Sequence, residues 1–243
     1  MPLRGYTSYV DLTYPSPQEE RSIQKALVKG KMKEHLEKIR NPNTALSRQT
    51  KALVTIGIAF FGFALGIFQK WLDSVAVNEL PLLFQQLDIT NYFGRLAIWI
   101  FLGTVIAVYS SSPTRAGINA FLFFFSMVTG YYLYCRFILG FLPTTYMLIW
   151  IAVSLASFFL AYICWYAKGK GAVALAISAG ILGVLLAQAF LFVRGFGVTH
   201  LTEIITWLLA LIVLRRRLKE YMLVCGISLV VAVIYQLLFS YWG

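Results

Sequence analysis

Charge is what this sequence has least of. Only 13% of its 243 residues are Asp, Glu, Lys or Arg, where soluble domains carry about 25%. Acidic residues number ten and histidines two. With 59% of residues hydrophobic and a mean hydropathy of +0.73, this scarcity excludes an ordinary soluble domain. The same hydrophobicity excludes a disordered chain. Cysteine is sparse too. Cys135, Cys164 and Cys225 lie far apart inside apolar runs with no C-x-x-C spacing, so they read as small packing residues rather than metal or redox groups. His35 and His200 are too few for a histidine metal site. No H-E-x-x-H, G-x-S-x-G, Walker or Rossmann glycine pattern occurs, and no carboxylate pair falls within one apolar run. The chain therefore leans away from an enzyme, and implies no catalytic residue, metal or cofactor.

What is present is a series of long apolar runs. A bilayer-spanning helix needs about 20 mostly apolar residues. Seven runs approach or meet that length: 52–69, 91–109, 116–136, 145–167, 171–193, 199–214 and 221–242. The expected fold is an all-α integral membrane protein, a bundle of seven transmembrane helices with six as the alternative count. The sixth run contains Glu203 and its clearly apolar part is short, so it is either a full crossing or a partial span packed within the bundle.

The basic residues set an orientation. Ten Lys/Arg precede residue 52, and alternate loops add Arg115, Lys168, Lys170, Arg215, Arg216, Arg217 and Lys219. That places seventeen on one face against Lys70, Arg95, Arg136 and Arg194 on the other. Cytoplasmic loops are enriched in Lys and Arg, so the N-terminus is expected in the cytoplasm and the C-terminus outside, in a cell membrane. Trp71, Tyr92 and Trp242 fall at outer ends, and Tyr109, Trp165 and Tyr166 at inner ends, as an interfacial aromatic belt would. No cleavable signal peptide is recognisable.

Residues 1–51 form a basic cytoplasmic tail with one helix over about 16–40. Ser16, Pro17 and Glu19 supply its start signals, and Asn41-Pro42 its stop. Its apolar residues fall on two faces, with Gly30 between them as a bend or break. The tail reads either as an amphipathic helix on anionic lipid headgroups or as a docking element for a protein partner or a second copy of the chain. It carries no nucleic-acid motif.

Two further patterns bear on function. Gly62 and Gly66 form a G-x-x-x-G, and Ala176, Gly180 and Gly183 belong to small-residue rows on the fifth run; such spacing lets helix backbones approach closely. Long polar side chains concentrate at the outer end: Arg95, Arg136, Gln188, Arg194, His200, Glu203 and Gln236. Ionisable groups at membrane depth suggest a site. Arg136, Gln188, Arg194, His200 and Glu203 either line an outward-facing polar pocket for a small solute, or Glu203 pairs structurally with Arg136 or Arg194. The first makes the protein a transport-related subunit. The alternative is a non-enzymatic assembly or accessory protein that docks a partner through its tail and small-residue faces. Between the first two runs, Pro81 starts a short helix carrying Leu82, Leu83, Phe84 and Leu87, lying on the membrane surface or over the pocket.

Several runs carry a resemblance: Gln69-Lys70-Trp71-Leu72-Asp73, Ala107-Val108-Tyr109-Ser110-Ser111-Ser112-Pro113, Tyr131-Tyr132-Leu133-Tyr134, and Leu160-Ala161-Tyr162-Ile163-Cys164-Trp165-Tyr166-Ala167-Lys168-Gly169-Lys170-Gly171. Together they resemble an uncharacterised family, a domain of unknown function, of small multi-pass membrane proteins from Gram-positive bacteria. The resemblance covers roughly residues 52–220. It implies a bacterial inner membrane and assigns no site residues. In architecture alone, the expected bundle is similar to the substrate-binding subunits of energy-coupling-factor vitamin transporters.

Overall fold

The computed structural model describes residues 17–43, 45–193 and 195–239, without the side chain of Glu19. The chain divides into two compact units, Met1–Lys38 and Ile39–Gly243. In the first, helix α1 (Pro17–Ile39, its last residue belonging to the second unit) runs unbroken through Gly30. An added Cβ at Gly30 would meet nothing, so no tertiary contact forces a bend. Lys33–Glu37 and Glu34–Lys38 pair along its exposed surface. Ser16, the expected cap, lies outside the described residues.

Among its described residues, the regular structure of the second unit is helical apart from one ribbon of two short strands. Its helices are α2 (Arg48–Ser74), α3 (Leu82–Gln86), α4 (Ile89–Gly94), α5 (Leu96–Tyr109), α6 (Pro113–Phe137), α7 (Thr144–Cys164), α8 (Gly171–Ala189), α9 (Leu201–Val213) and α10 (Leu218–Phe239). Five are long and apolar enough to cross a membrane: α2, α6, α7 with the 3-10 turn that extends it to Lys168, α8 and α10. Helices α5 and α9 are apolar but have 14 and 13 residues, about 20 Å each. Starts follow local chemistry. Ser47 accepts a hydrogen bond from the Thr50 amide, and Ser112, followed by Pro113, accepts one from Arg115.

Two of the expected runs break. Residues 91–109 divide at Arg95, whose extended backbone separates α4 from α5 and whose side chain joins an ion cluster with Asp88 and Glu203. Residues 171–193 stop at Ala189, where Phe190–Leu191 pairs antiparallel with Gly197–Val198. Gln236 and Thr199 take the α8 terminal carbonyls there. At the end of α7 the helix tightens into the 3-10 turn Trp165–Lys168. Trp165 and Tyr166 are buried within the protein: the Trp165 indole donates to Ser110 O at 2.8 Å. Trp242 lies outside the described residues.

Helix pairs meet through small residues. A Cβ on Gly62 would come within 2.3 Å of Phe123 O, on Gly66 within 2.0 Å of Met127 O, and on Gly130 within 2.3 Å of Phe63 O. Helices α2 and α6 therefore touch backbone to backbone, which only glycine permits. Gly183 abuts Val231 and Ser228 of α10, and Gly117 abuts Phe158 of α7. Ala176 is exposed and Gly180 faces open space. The central apolar cluster joins α5, α8, α9 and α10 through Ala97, Val108, Ala179, Leu182, Leu185, Ala210, Leu214 and Val224.

Residues 39–43, 110–112, 165–170 and 214–217 gather at one end of this unit, its proximal end. The Lys170 amide donates to Ile39 O and the Asn43 amide to Ser111 O. The Arg40 guanidinium lies 4.1 Å from the Trp165 ring centre and donates to Trp165 O and Val108 O, closing the C-terminal ends of α5 and α7. Arg216 does the same for Ala167 and Gly169.

Candidate functional site

At the opposite, distal end lie two polar groups. The first is the ion cluster around Glu203, in the opening turn of α9, where a helix N-terminus favours negative charge. Its side chain is 2% exposed. Arg95 Nε donates to Oε1 and Thr202 Oγ1 donates to Oε2 at 2.9 Å. The same guanidinium donates to Asp88 Oδ2 at 2.8 Å. Asp88 sits at φ 51°, a left-handed conformation Asp tolerates, and accepts from Asn91 at 2.7 Å. Partial burial opposes the Asp88 charge, but Arg95 and Asn91 outweigh it and hold the carboxyl below the usual carboxylate range. Beside them the Tyr92 and Thr206 hydroxyls share a hydrogen bond. The cluster ties residues 88–95 to α9 and leaves Glu203 paired with Arg95 and Thr202.

Arg136, one expected partner of Glu203, stands elsewhere. Arg136 is exposed in the last turn of α6 and does not reach it. Arg194 lies outside the described residues. His200 caps α9 with Nδ1 3.9 Å from Glu203 Oε2. Gln188 donates to the Tyr235 hydroxyl at 3.1 Å. His200 and Glu203 adjoin, and none of Arg136, Gln188, His200 and Glu203 lines the cavity described next.

A cavity of about 690 Å³ lies elsewhere, among α2, α5, α6, α7 and α8 with the end of α4. That volume lies within the range of about 300–1,000 Å³ typical of ligand sites. Its walls are apolar: Trp99 and Ile100 from α5, Phe124, Met127 and Val128 from α6, Trp150 and Val153 from α7, Ile181 and Val184 from α8. Gly180 lines it with no atom near the Cβ it lacks. The hydroxyls of Ser154 and Ser157 are spent on backbone carbonyls of their own helix. Charge enters only at the distal end, where Lys70 and Asp73 of α2 meet Tyr131 of α6. Lys70 Nζ donates to the Tyr131 hydroxyl at 3.3 Å and stands 3.9 Å from Asp73 Oδ2. The Tyr131 hydroxyl donates to Asp73 at 2.9 Å. The ammonium also faces the rings of Tyr131 and Phe141 at 5.0 and 5.8 Å.

The sequence reading did not group Lys70, Asp73 and Tyr131 as a site. Their signal was faint: an i, i+3 charge pair ending an apolar run. The tyrosine sits on a helix 58 residues further on, and only the glycine-mediated contact of α2 with α6 sets it alongside.

Fold and site together define a helical protein compatible with a membrane, holding an apolar cavity with charge at one end. No family model matches the chain, and neither the curated proteins nor the solved structures compared with it provided a match.

Proposed function

We propose that this is a transport-related subunit of a bacterial cell membrane, a seven-span protein that binds a small solute in the cavity between α2, α5, α6, α7 and α8. The cavity is the observation that carries the reading: a space of ligand size, apolar along its walls, with one charged end. Exposed apolar side chains such as Phe60, Phe61, Leu155, Phe159, Val230 and Leu238 suit contact with lipid. In this reading α5 and α9 complete seven crossings as short spans within the bundle. The proximal end, carrying Arg115, Lys168, Lys170 and Arg215 to Lys219, faces the cytoplasm, and Lys70 faces outward. The basic tail lies on anionic headgroups.

The test is a thermal-shift screen of the purified full-length protein with a Gly180→Phe variant alongside. The new ring enters open space, so the empty variant melts near the wild type. A solute at a hundred times its Kd raises wild-type stability by about 2.7 kcal/mol and leaves Gly180→Phe unmoved. Equal stabilisation of both proteins removes the cavity from consideration.

A second reading, an accessory protein docking a partner through its tail, draws on the closed Glu203 cluster and the exposed surface of α1. It requires that a co-purifying partner be lost when residues 1–38 are deleted.

A further inference from the structure

We propose that the cavity takes a single-chain amphiphile, its anionic head at Lys70 and its hydrocarbon chain running along α7. This rests on the reading of the cavity as a binding site and names the ligand class. Shape is the first argument. The α7 lining runs from Tyr146 near the distal end to Cys164 at the proximal end, about 27 Å of helix. A compact space of 690 Å³ would be about 11 Å across. The cavity is therefore long and narrow, a shape that suits an extended chain better than a compact ring system. Chemistry is the second. Trp99, Phe124, Val153 and Leu160 offer the chain no hydrogen bond, and the wall hydroxyls of Ser154 and Ser157 are already occupied.

Charge complementarity places the head. The Lys70 side chain is 14% exposed, and an ammonium has three N–H donors. Among the described residues it makes one hydrogen bond, at 3.3 Å. Its carboxylate neighbour stays 3.9 Å off, beyond the 2.7–2.9 Å of a charge-assisted bond, because Tyr131 holds Asp73. The aromatic faces of Tyr131 and Phe141 stabilise the cation without consuming its donors. A carboxylate or phosphate entering here finds free N–H groups on a shielded ammonium. Asp73 opposes that anion in part, so its neutralisation strengthens binding.

The experiment measures equilibrium binding of radiolabelled palmitate to the delipidated full-length protein, with lysophosphatidylglycerol and hexadecanol as competitors. Wild type binds palmitate, and Lys70→Gln weakens it by roughly ten- to a hundredfold. Asp73→Asn tightens it, and Gly180→Phe abolishes it. Competition by lysophosphatidylglycerol stronger than that by unlabelled palmitate identifies a phospholipid source, and weaker competition identifies a fatty acid. Hexadecanol competing as well as palmitate, or Lys70→Gln binding like wild type while melting normally, overturns the anionic head and leaves the cavity standing. If Gly180→Phe alters binding of neither charged nor neutral chains, the cavity reading itself falls.

Discussion

Glu203 shows how one buried charge is made tolerable. A carboxylate at 2% exposure costs several kcal/mol unless it is paired and hydrogen-bonded, and Arg95, Thr202 and the start of α9 together provide that. Arg95→Met, which strands the carboxylate, is expected to destabilise by about 3–5 kcal/mol, and Arg95→Met with Glu203→Leu to recover most of it. Arg136→Ala changes stability by less than about 0.5 kcal/mol. Thermal unfolding of the four proteins in one detergent checks both statements. The Asp88–Arg95 contact adds a pH dependence. The folded carboxyl titrates below its ordinary value, and the unfolded one at about 3.9. Its stabilisation is complete above the unfolded value and is lost as pH falls through the folded one. A melting series from pH 7 to pH 3 should show wild type above Asp88→Asn at neutral pH, with the gap closing in acid. The sequence marked Glu203 as the acid needing a partner, but the arginine that meets it is Arg95 and not Arg136. Apolar runs reveal depth, whereas which arginine faces α9 depends on helix rotation and on the break at Arg95.

Among the elements, α2 and α6 depend most on single residues. Gly66 leaves 2.0 Å between its missing Cβ and Met127 O, a backbone contact that no rotamer relieves. Gly66→Leu forces the helices apart and is expected to cost about 3 kcal/mol or more, read as a lowered melting temperature. Such loss also displaces Lys70 from Tyr131. Gly30 is the opposite case. It stands in open space within α1, so Gly30→Ala should stabilise that helix by about 1 kcal/mol, seen as slower amide exchange across residues 20–38. Both glycines are plain in the sequence. The G-x-x-x-G spacing pointed to a close crossing at Gly62 and Gly66, while Gly180, in a similar row, lines a cavity. Spacing shows which residues share a face and says nothing of whether another helix covers that face.

Across the whole molecule, charge and hydropathy set the frame. The basic residues of alternate loops gather at the proximal end, held there by Arg40 and Arg216 on backbone carbonyls. With the proximal end in the cytoplasm, a cysteine at Glu79→Cys reacts with an impermeant maleimide in intact cells, and one at Arg217→Cys only after permeabilisation. The reverse pattern inverts the orientation. The cavity belongs to this scale as well. Its lining comes from six helices, α2 and α4 to α8, and the segment joining α6 to α7, and no stretch of sequence contains more than a fragment of it.

By itself the sequence determined the helical class and the run of segments apolar enough for a membrane, because mean hydropathy and segment length are sums over neighbouring residues. It also marked the small-residue face of α2 at Gly62 and Gly66. Tertiary structure alone decided that Arg95 rather than Arg136 neutralises Glu203, that α4 and α5 separate, and that Lys70, Asp73 and Tyr131 stand at the end of an apolar cavity. Each depends on helix rotation and on pairing between distant segments, and a one-dimensional pattern specifies neither.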